Sequence, residues 1–230
     1  MLLPLYDRNP LRIIPFQFMT FAVLAVCILV FLWQINLPPL LAERAALVYG
    51  MIPSVLLGSN QLDPALAPIP AKMTLLTSLF LHGDLWHLMG NMLFLWVFGD
   101  NIEDSMGHFK FLLFFLVCGA AGGAAHAAML PDVKIPTVGA SGAVAGVMGA
   151  YIMLHPKVKI LVLALKWIPL YLPAYFVLAV WIGLQVFSVL FEIGGQVAWW
   201  AHIGGFAAGA LLILVMRDRR VPLFDKGVAH

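Results

Sequence analysis

Long apolar runs, separated by short polar segments, dominate the chain and predict helices that cross a membrane. A run of about 20 mainly apolar residues is long enough to span the hydrocarbon core of a bilayer. The predicted spans cover residues 16–36, 85–102, 109–130, 141–156, 172–191 and 199–216. The pattern therefore predicts an all-α polytopic membrane protein, in which residues 16–216 form a bundle of six transmembrane helices.

Two segments near the N-terminus differ from the other predicted spans and loops. The first apolar run has the position of a secretory signal, but its apolar part exceeds the usual length of about 7–15 residues and no small-x-small cleavage site directly follows it. We therefore expect a retained helix. Residues 37–71 carry several prolines and a Gly58-Ser59-Asn60 turn signal, yet remain rich in Leu and Val. This first loop is expected to lie partly in the membrane interface.

Composition supports a membrane protein. The chain is 63% hydrophobic and 10% charged, whereas soluble domains are about 45–50% apolar and about 25% charged. A soluble fold of this size has too little interior for so much apolar side chain, so the lipid bilayer is the expected environment. No basic tract with interleaved aromatics suggests nucleic acid. Cys27 and Cys118 each lie inside an apolar run and are expected to be small buried hydrophobes.

The distribution of positive charge predicts the orientation. With the N-terminus inside, the outer segments hold three of the 13 lysines and arginines, namely Arg44, Lys72 and Lys134. The inner segments hold Arg8, Arg12, Lys110, Lys157, Lys159, Lys166, Arg217, Arg219, Arg220 and Lys226. This bias places residues 1–15 and the basic tail 217–230 in the cytoplasm. The default location is the cell membrane.

This topology brings four polar side chains to one depth. Spans two, four and six all run from outside to inside, so their N-terminal turns share the outer leaflet. These turns carry His87, Asn91, Ser141 and His202. Any one of them alone is more simply a satisfied interior residue. Because polar groups in hydrocarbon are costly and face the bundle interior, their shared depth indicates one site.

Glycines indicate which helices approach closely. Small-x-x-x-small faces let membrane helices pack backbone to backbone. The glycines on such faces are Gly142, Gly146 and Gly149 in the fourth span, and Gly205 and Gly209 in the sixth. Ser141 and His202 lie at matched heights on this predicted seam, as a nucleophile and its base require. Closely packed helices without a catalytic role also use glycines at such positions. The glycines therefore support only the proximity of the fourth and sixth spans.

His87 and Asn91 are four residues apart and share one helical face. Both side chains can donate hydrogen bonds to a developing oxyanion, as can the Ser141 amide at a helix start. Asp84 is the nearest carboxylate, but it precedes the second span. The sequence therefore predicts a Ser–His dyad without an acidic third member.

At these residues the chain resembles the rhomboid family of intramembrane serine proteases. The matching motifs are Gly139-x-Ser141-Gly142, His82-x4-His87-x3-Asn91, Ala201-His202-x2-Gly205-x3-Gly209, Gly99-x3-Glu103-Asp104 and Tyr49-Gly50-x2-Pro53. The resemblance covers nearly the whole chain, in order. It implies a rhomboid-like six-helix bundle with a water-filled cavity open to the extracytoplasmic side.

By resemblance, Ser141 is the nucleophile, His202 the general base, and His87, Asn91 and the Ser141 amide form the oxyanion hole. His82 lies at the cavity rim. The expected partners are transmembrane protein substrates, cut in or near a membrane helix, and the lipid bilayer; no cofactor or metal is implied. We also expect residues 192–198 to form a mobile cap, hinged at Gly194-Gly195.

Two positions depart from the family pattern. Some members carry a Trp-Arg pair in the first loop, where this chain has Lys72-Met73. Some place an aromatic ring four residues after the nucleophile, stacked on the catalytic histidine, where this chain has Ala145. Support for the His202 imidazole must then come from elsewhere. Neither departure removes a reacting group.

The sequence leaves three alternatives open. A proteolytically silent relative would keep the fold and bind membrane clients, although such relatives usually lack the serine or histidine. A transporter would need polar residues toward the inner side, where spans two, four and six are nearly all apolar. A metalloprotease would need a ligand set, but His-Glu-x-x-His is absent from the sequence. His126 is expected to be interior packing.

Overall fold

The computed structural model describes residues 2–164, 167–191, 193 and 197–225. Its helices are α1 (Phe18–Ile35), α2 (Pro39–Tyr49), α3 (Pro53–Leu56), α4 (Thr74–Thr77), α5 (Leu85–Met106), α6 (His108–Met129), α7 (Ser141–Leu154), α8 (Ala174–Leu190) and α9 (Trp199–Met216). Short 3₁₀ turns at Pro64–Leu66 and Ala71–Met73 lie in the first loop. The proline-rich loop is therefore largely built of short helices, consistent with its apolar composition.

Each predicted span coincides with one of the helices α1 and α5 to α9. By length and composition, α1, α6 and α9 are each able to cross a membrane, whereas α7 and α8 are shorter apolar helices. Helix α5 has 22 residues, with its acidic side chains near the C-terminal end. Large side chains on the outer faces of the bundle, such as Leu29, Leu211 and Val215, are exposed, as lipid-facing residues are. The structure is thus a mainly helical membrane bundle, and the count of six spans remains a prediction.

The prediction of an all-α fold is wrong, because the chain also forms a three-stranded antiparallel sheet. Its strands are β1 (Leu2–Asp7), β2 (Lys159–Ala164) and β3 (Ile168–Pro173), in the order β1-β2-β3. Ile160 and Val162 are fully buried on one face of the central strand, and their β-branched side chains alternate with more exposed neighbours. The segment between the fourth and fifth predicted spans, which carries Lys157 and Lys159, therefore pairs as β2 and β3 and packs on the bundle.

The C-terminal end of α5 anchors the N-terminal segment. Both oxygens of the Asp104 carboxylate accept backbone N–H groups, from Arg12, Ile13 and Ile14, at 2.7–3.0 Å. Glu103 accepts the N–H groups of Met19 and Thr20, at 2.9 and 2.7 Å. These carboxylates satisfy otherwise unpaired donors before and in the first turn of α1. Glu103 and Asp104 belong to α5, which continues to Met106, past the predicted end of the apolar run at residue 102.

The core lies around α7, which is almost completely buried from Gly142 to Tyr151. Helices α7 and α9 approach so closely that a Cβ atom placed on Gly205 would lie 1.9 Å from the Gly142 carbonyl oxygen. A Cβ on Gly209 would lie 1.9 Å from the carbonyl oxygen of Gly146. The predicted backbone-to-backbone seam between these helices is therefore present.

Candidate active site

The candidate site is built around the first turn of α7. Gly139 has φ +123°, a conformation that L side chains rarely adopt, and its N–H donates to the Ser78 carbonyl at 2.9 Å. A Cβ atom at Gly139 would lie 2.5 Å from His87 Cε1 and 2.6 Å from His87 Nε2. The imidazole of His87 thus packs against the backbone two residues before Ser141. Only glycine leaves room for this contact.

Asn91 lies beside the same backbone, one helical turn after His87. Its amide nitrogen Nδ2 is 3.7 Å from the position of a Cβ on Gly139. The side chain is buried, and Nδ2 has no hydrogen-bond partner in the described part of the chain. A buried donor without a protein partner is costly, so such a group is satisfied by water or by a bound ligand. The predicted His87–Asn91 face therefore meets the start of α7.

The backbone beside His202 lies against the first turn of α7 at the glycine seam. The carbonyl oxygen of Ala201, the residue before it, is 3.3 Å from the Cβ position of Gly142. His202 directly follows Ala201 in sequence, and Ser141 directly precedes Gly142, so both lie next to this close contact. No hydrogen bond between Ser141 Oγ and the His202 ring occurs among the described residues. In unliganded enzymes such a bond is often long, and it tightens only when substrate binds.

Helix α8 supplies the surroundings of His202 that the sequence interpretation left open. The ring of Trp181 lies 5.7 Å from the His202 ring, and that of Trp199, on α9, lies 5.8 Å away. Gln185 Oε1 is 2.8 Å from His202 Nδ1. These groups contact the His202 imidazole, whereas Ala145 has no aromatic ring that could stack on it.

Sequence reasoning missed Gln185, although a signal was available. It is an amide in an apolar helix, and polar side chains in membrane helices usually face the bundle interior. Gln185 is 6% exposed, which agrees with that rule. Its partner was not predictable, because the rotation of α8 against α9 is set by packing rather than by local sequence.

His82 is buried beside His87, and its position at a cavity rim remains a prediction. It is 2% exposed, and its ring meets that of His87 edge-on at 5.3 Å. The backbone N–H of His82 donates a hydrogen bond to Gln34 Oε1 at 3.0 Å. Burial, followed by the nearby His87, lowers the pKa of His82 to about 4. His82 is therefore neutral near pH 7 and supports His87 without adding a charge.

Two other predicted elements stand apart from this cluster. His126, on α6, is buried as expected for interior packing. The predicted cap falls mainly on residues 192 and 194–196, which lie outside the described residues. At its borders, Trp199 Nε1 donates to the Ile193 carbonyl at 2.7 Å.

Comparisons with known proteins agree on one family. The family model described as "Rhomboid domain" matches residues 71–219, which include all of the candidate site. "Rhomboid protein 1, mitochondrial" of Saccharomyces cerevisiae is 30% identical over 154 residues, covering 62% of this chain and 41% of that protein. "RHOMBOID-like protein 12, mitochondrial" of Arabidopsis thaliana is 32% identical over 164 residues, covering 64% and 47%.

A bacterial relative matches over a shorter stretch. "Rhomboid protease GluP" of Bacillus subtilis is 41% identical over 76 residues, covering 33% of this chain and 14% of that protein. This chain thus matches less than half the length of each of these three relatives. Because the family model spans most of the chain, from the first loop to the end of α9, the chain belongs to the rhomboid family.

Proposed function

We propose that this protein is an intramembrane serine endopeptidase that cleaves transmembrane or juxtamembrane segments of other membrane proteins. The observation that carries the proposal is the meeting of three elements at the start of α7. His87 and Asn91 pack against Gly139, while Ala201 and Gly205 bring the first turns of α9 against Gly142. This packing supports a site in which the Ser141 hydroxyl, the His202 imidazole and the Asn91 amide act together, as acyl transfer requires.

The proposed mechanism uses only side chains and backbone of this chain. Ser141 Oγ attacks a peptide carbonyl as His202 takes its proton. His87, Asn91 and the Ser141 N–H stabilise the oxyanion. His202 returns the proton to the leaving amine, the C–N bond breaks, and an acyl-enzyme remains. Water then attacks the ester carbon and gives a proton to His202, which passes it to Ser141 Oγ as the acid product leaves.

The proposed orientation follows from the charge bias. Ten of the 13 lysines and arginines fall on the side assigned to the cytoplasm. We place the protein in a cell membrane, with both termini cytoplasmic and the site open to the extracytoplasmic side. Two of the relatives described above are named mitochondrial.

Purified wild-type protein, mixed in detergent with a panel of single-span membrane proteins, tests the proposed activity. We expect cleavage of members that carry small or helix-weakening residues near one membrane boundary, with product masses that map the cut to that region. A proteolytically silent relative that binds membrane clients predicts co-purification of intact proteins and no products. Full cleavage in the presence of a chelator is expected, whereas loss of cleavage would favour a metalloprotease.

Replacing Asn91 by alanine is expected to lower kcat by about 10²–10³-fold, because one oxyanion donor is removed. The KM value should change much less, since the donor acts mainly on the transition state. Initial rates against one cleaved substrate measure both constants. Asn91→Asp is the matched variant, because it keeps the size of the side chain but replaces the N–H donor by an acceptor. Its kcat should fall by the same factor. A kcat within about threefold of wild type in Asn91→Ala would remove Asn91 from the proposed oxyanion hole.

A further inference from the structure

The neighbour of His202 on α8 is a glutamine, where a catalytic triad has a carboxylate. Gln185 is 6% exposed and His202 is 9% exposed, so water has little access to the contact between them. Gln185 Oε1 lies 2.8 Å from His202 Nδ1, a normal hydrogen-bond distance. The two residues are 17 positions apart, and the contact is therefore tertiary.

A second hydrogen bond fixes which way the Gln185 amide points. Gln185 Nε2 donates to the Trp181 carbonyl, one turn earlier in α8, at 3.0 Å. A carbonyl oxygen only accepts, so the amide nitrogen must face Trp181. The Oε1 atom then faces the imidazole of His202. The helix backbone thus orients the amide and, through it, the ring.

The orientation of the amide decides the tautomer of His202. Gln185 Oε1 can only accept a hydrogen bond, so His202 Nδ1 must carry the hydrogen. In the neutral ring, Nε2 is then left unprotonated, with a lone pair available to accept the Ser141 proton. The opposite tautomer would place a hydrogen on Nε2 and prevent it from acting as a base.

We propose that Gln185 is a positioning residue that holds His202 in the Nδ1–H tautomer and orients its Nε2 toward Ser141. This proposal rests on the proposed protease function and adds a third member to the dyad. In place of the aspartate of a triad, a neutral carbonyl accepts the Nδ1–H bond. It orients the ring without bringing a buried negative charge into the membrane, where charge is costly. Trp181, on the same helix, covers the ring from another side.

The test compares two substitutions of nearly equal size. Gln185→Met removes the acceptor, and kcat is expected to fall about 10- to 100-fold, the range for a hydrogen bond to a group that becomes charged. Gln185→Glu keeps an acceptor and is expected to retain most of the activity. A purely packing role predicts the reverse order, because methionine suits an apolar interior and glutamate does not. Gln185→Leu serves as a second apolar variant if the methionine variant does not fold.

The pH dependence of kcat/KM tests whether residue 185 is in contact with the His202 ring, as the proposal requires. The carboxylate introduced by Gln185→Glu, when ionised, stabilises protonated His202, so the acidic limb of the profile should move to higher pH. The other titratable groups near His202 are His87 on α5 and His126 on α6, both unchanged in these variants. An acidic limb at the same pH in wild type and in Gln185→Glu would contradict the proposal.

The tautomer can be observed without turnover. In ¹⁵N-histidine-labelled protein, the ring nitrogen shifts of His202, assigned by comparison with His202→Gln, should indicate Nδ1–H in wild type and a mixture in Gln185→Met. An Nε2–H tautomer in wild type would overturn the proposal, whether or not the chain cleaves any substrate. If the wild-type protein and Gln185→Met both cleave substrate at similar rates, the positioning role of Gln185 is overturned and the protease function is retained. Absence of wild-type cleavage would instead count against the protease function.

Discussion

Replacing Ser141 by alanine is expected to abolish cleavage of every substrate that the wild-type protein cuts. The substitution removes the only atom that forms the acyl-enzyme in the proposed mechanism. Loss of a serine nucleophile that acts together with its histidine lowers kcat by roughly 10⁶-fold in a well-studied protease. In a gel assay of substrate and product, this corresponds to no visible product.

The fold should tolerate this change. Ser141 is half-buried at the first position of α7, and alanine is the best helix former. The Ser141→Ala variant should therefore unfold at the same temperature as wild type in the same detergent. Ser188→Ala, on α8, is a control that also removes one intramembrane hydroxyl and should leave cleavage unchanged. Normal cleavage by a correctly folded Ser141→Ala protein would contradict the proposed function.

The second large effect is expected from one methyl group at Gly205. In Gly205→Ala the new Cβ atom would lie 1.9 Å from the Gly142 carbonyl oxygen and 2.8 Å from its carbonyl carbon. Both are backbone atoms of a buried helix, so no flexible side chain can move aside. Helices α7 and α9 must separate, which moves His202 away from Ser141. We expect a lower unfolding temperature and a large loss of kcat, because misplacement by about 1 Å can cost about 10²-fold in rate.

Gly183→Ala provides the matched control. Gly183 lies in α8, and a Cβ atom there would meet nothing within 4 Å. The same substitution at this position should stabilise the helix slightly, by up to about 1 kcal/mol, since alanine is the better helix former. Thermal unfolding and initial rates of both variants in one detergent make the comparison. Equal unfolding temperatures for Gly205→Ala and Gly183→Ala would show that the seam is not required.

The sequence was sufficient to predict where the bundle helices lie. Hydrophobic runs of membrane length stand out in any chain, because lipid requires apolar side chains at nearly every exposed position. The shared depth of His87, Asn91 and Ser141 followed from helix direction alone. The structure places His87 and Asn91 against Gly139, two residues before Ser141.

The sheet and the contact of Gln185 were not predictable in the same way. A short apolar run such as Lys159–Ala164 fits a strand or part of a helix equally well, and its partner strand β1 lies far away in sequence, at the N-terminal end of the chain. Similarly, Gln185 meets His202 only because α8 is rotated to that angle against α9. The pairing of β1 with β2 and the contact of Gln185 with His202 both depend on packing between segments that local sequence does not relate.

Covalent trapping with a fluorophosphonate probe tests the assignment of the nucleophile most directly. An activated serine oxygen attacks phosphorus, a P–O bond forms, fluoride leaves, and His202 takes the serine proton. Mass spectrometry of the labelled wild-type protein should place the adduct on Ser141, with slower labelling in His202→Ala and none in Ser141→Ala. An adduct on another residue, or equal labelling of the wild-type and Ser141→Ala proteins, would contradict the assignment of Ser141 as the nucleophile.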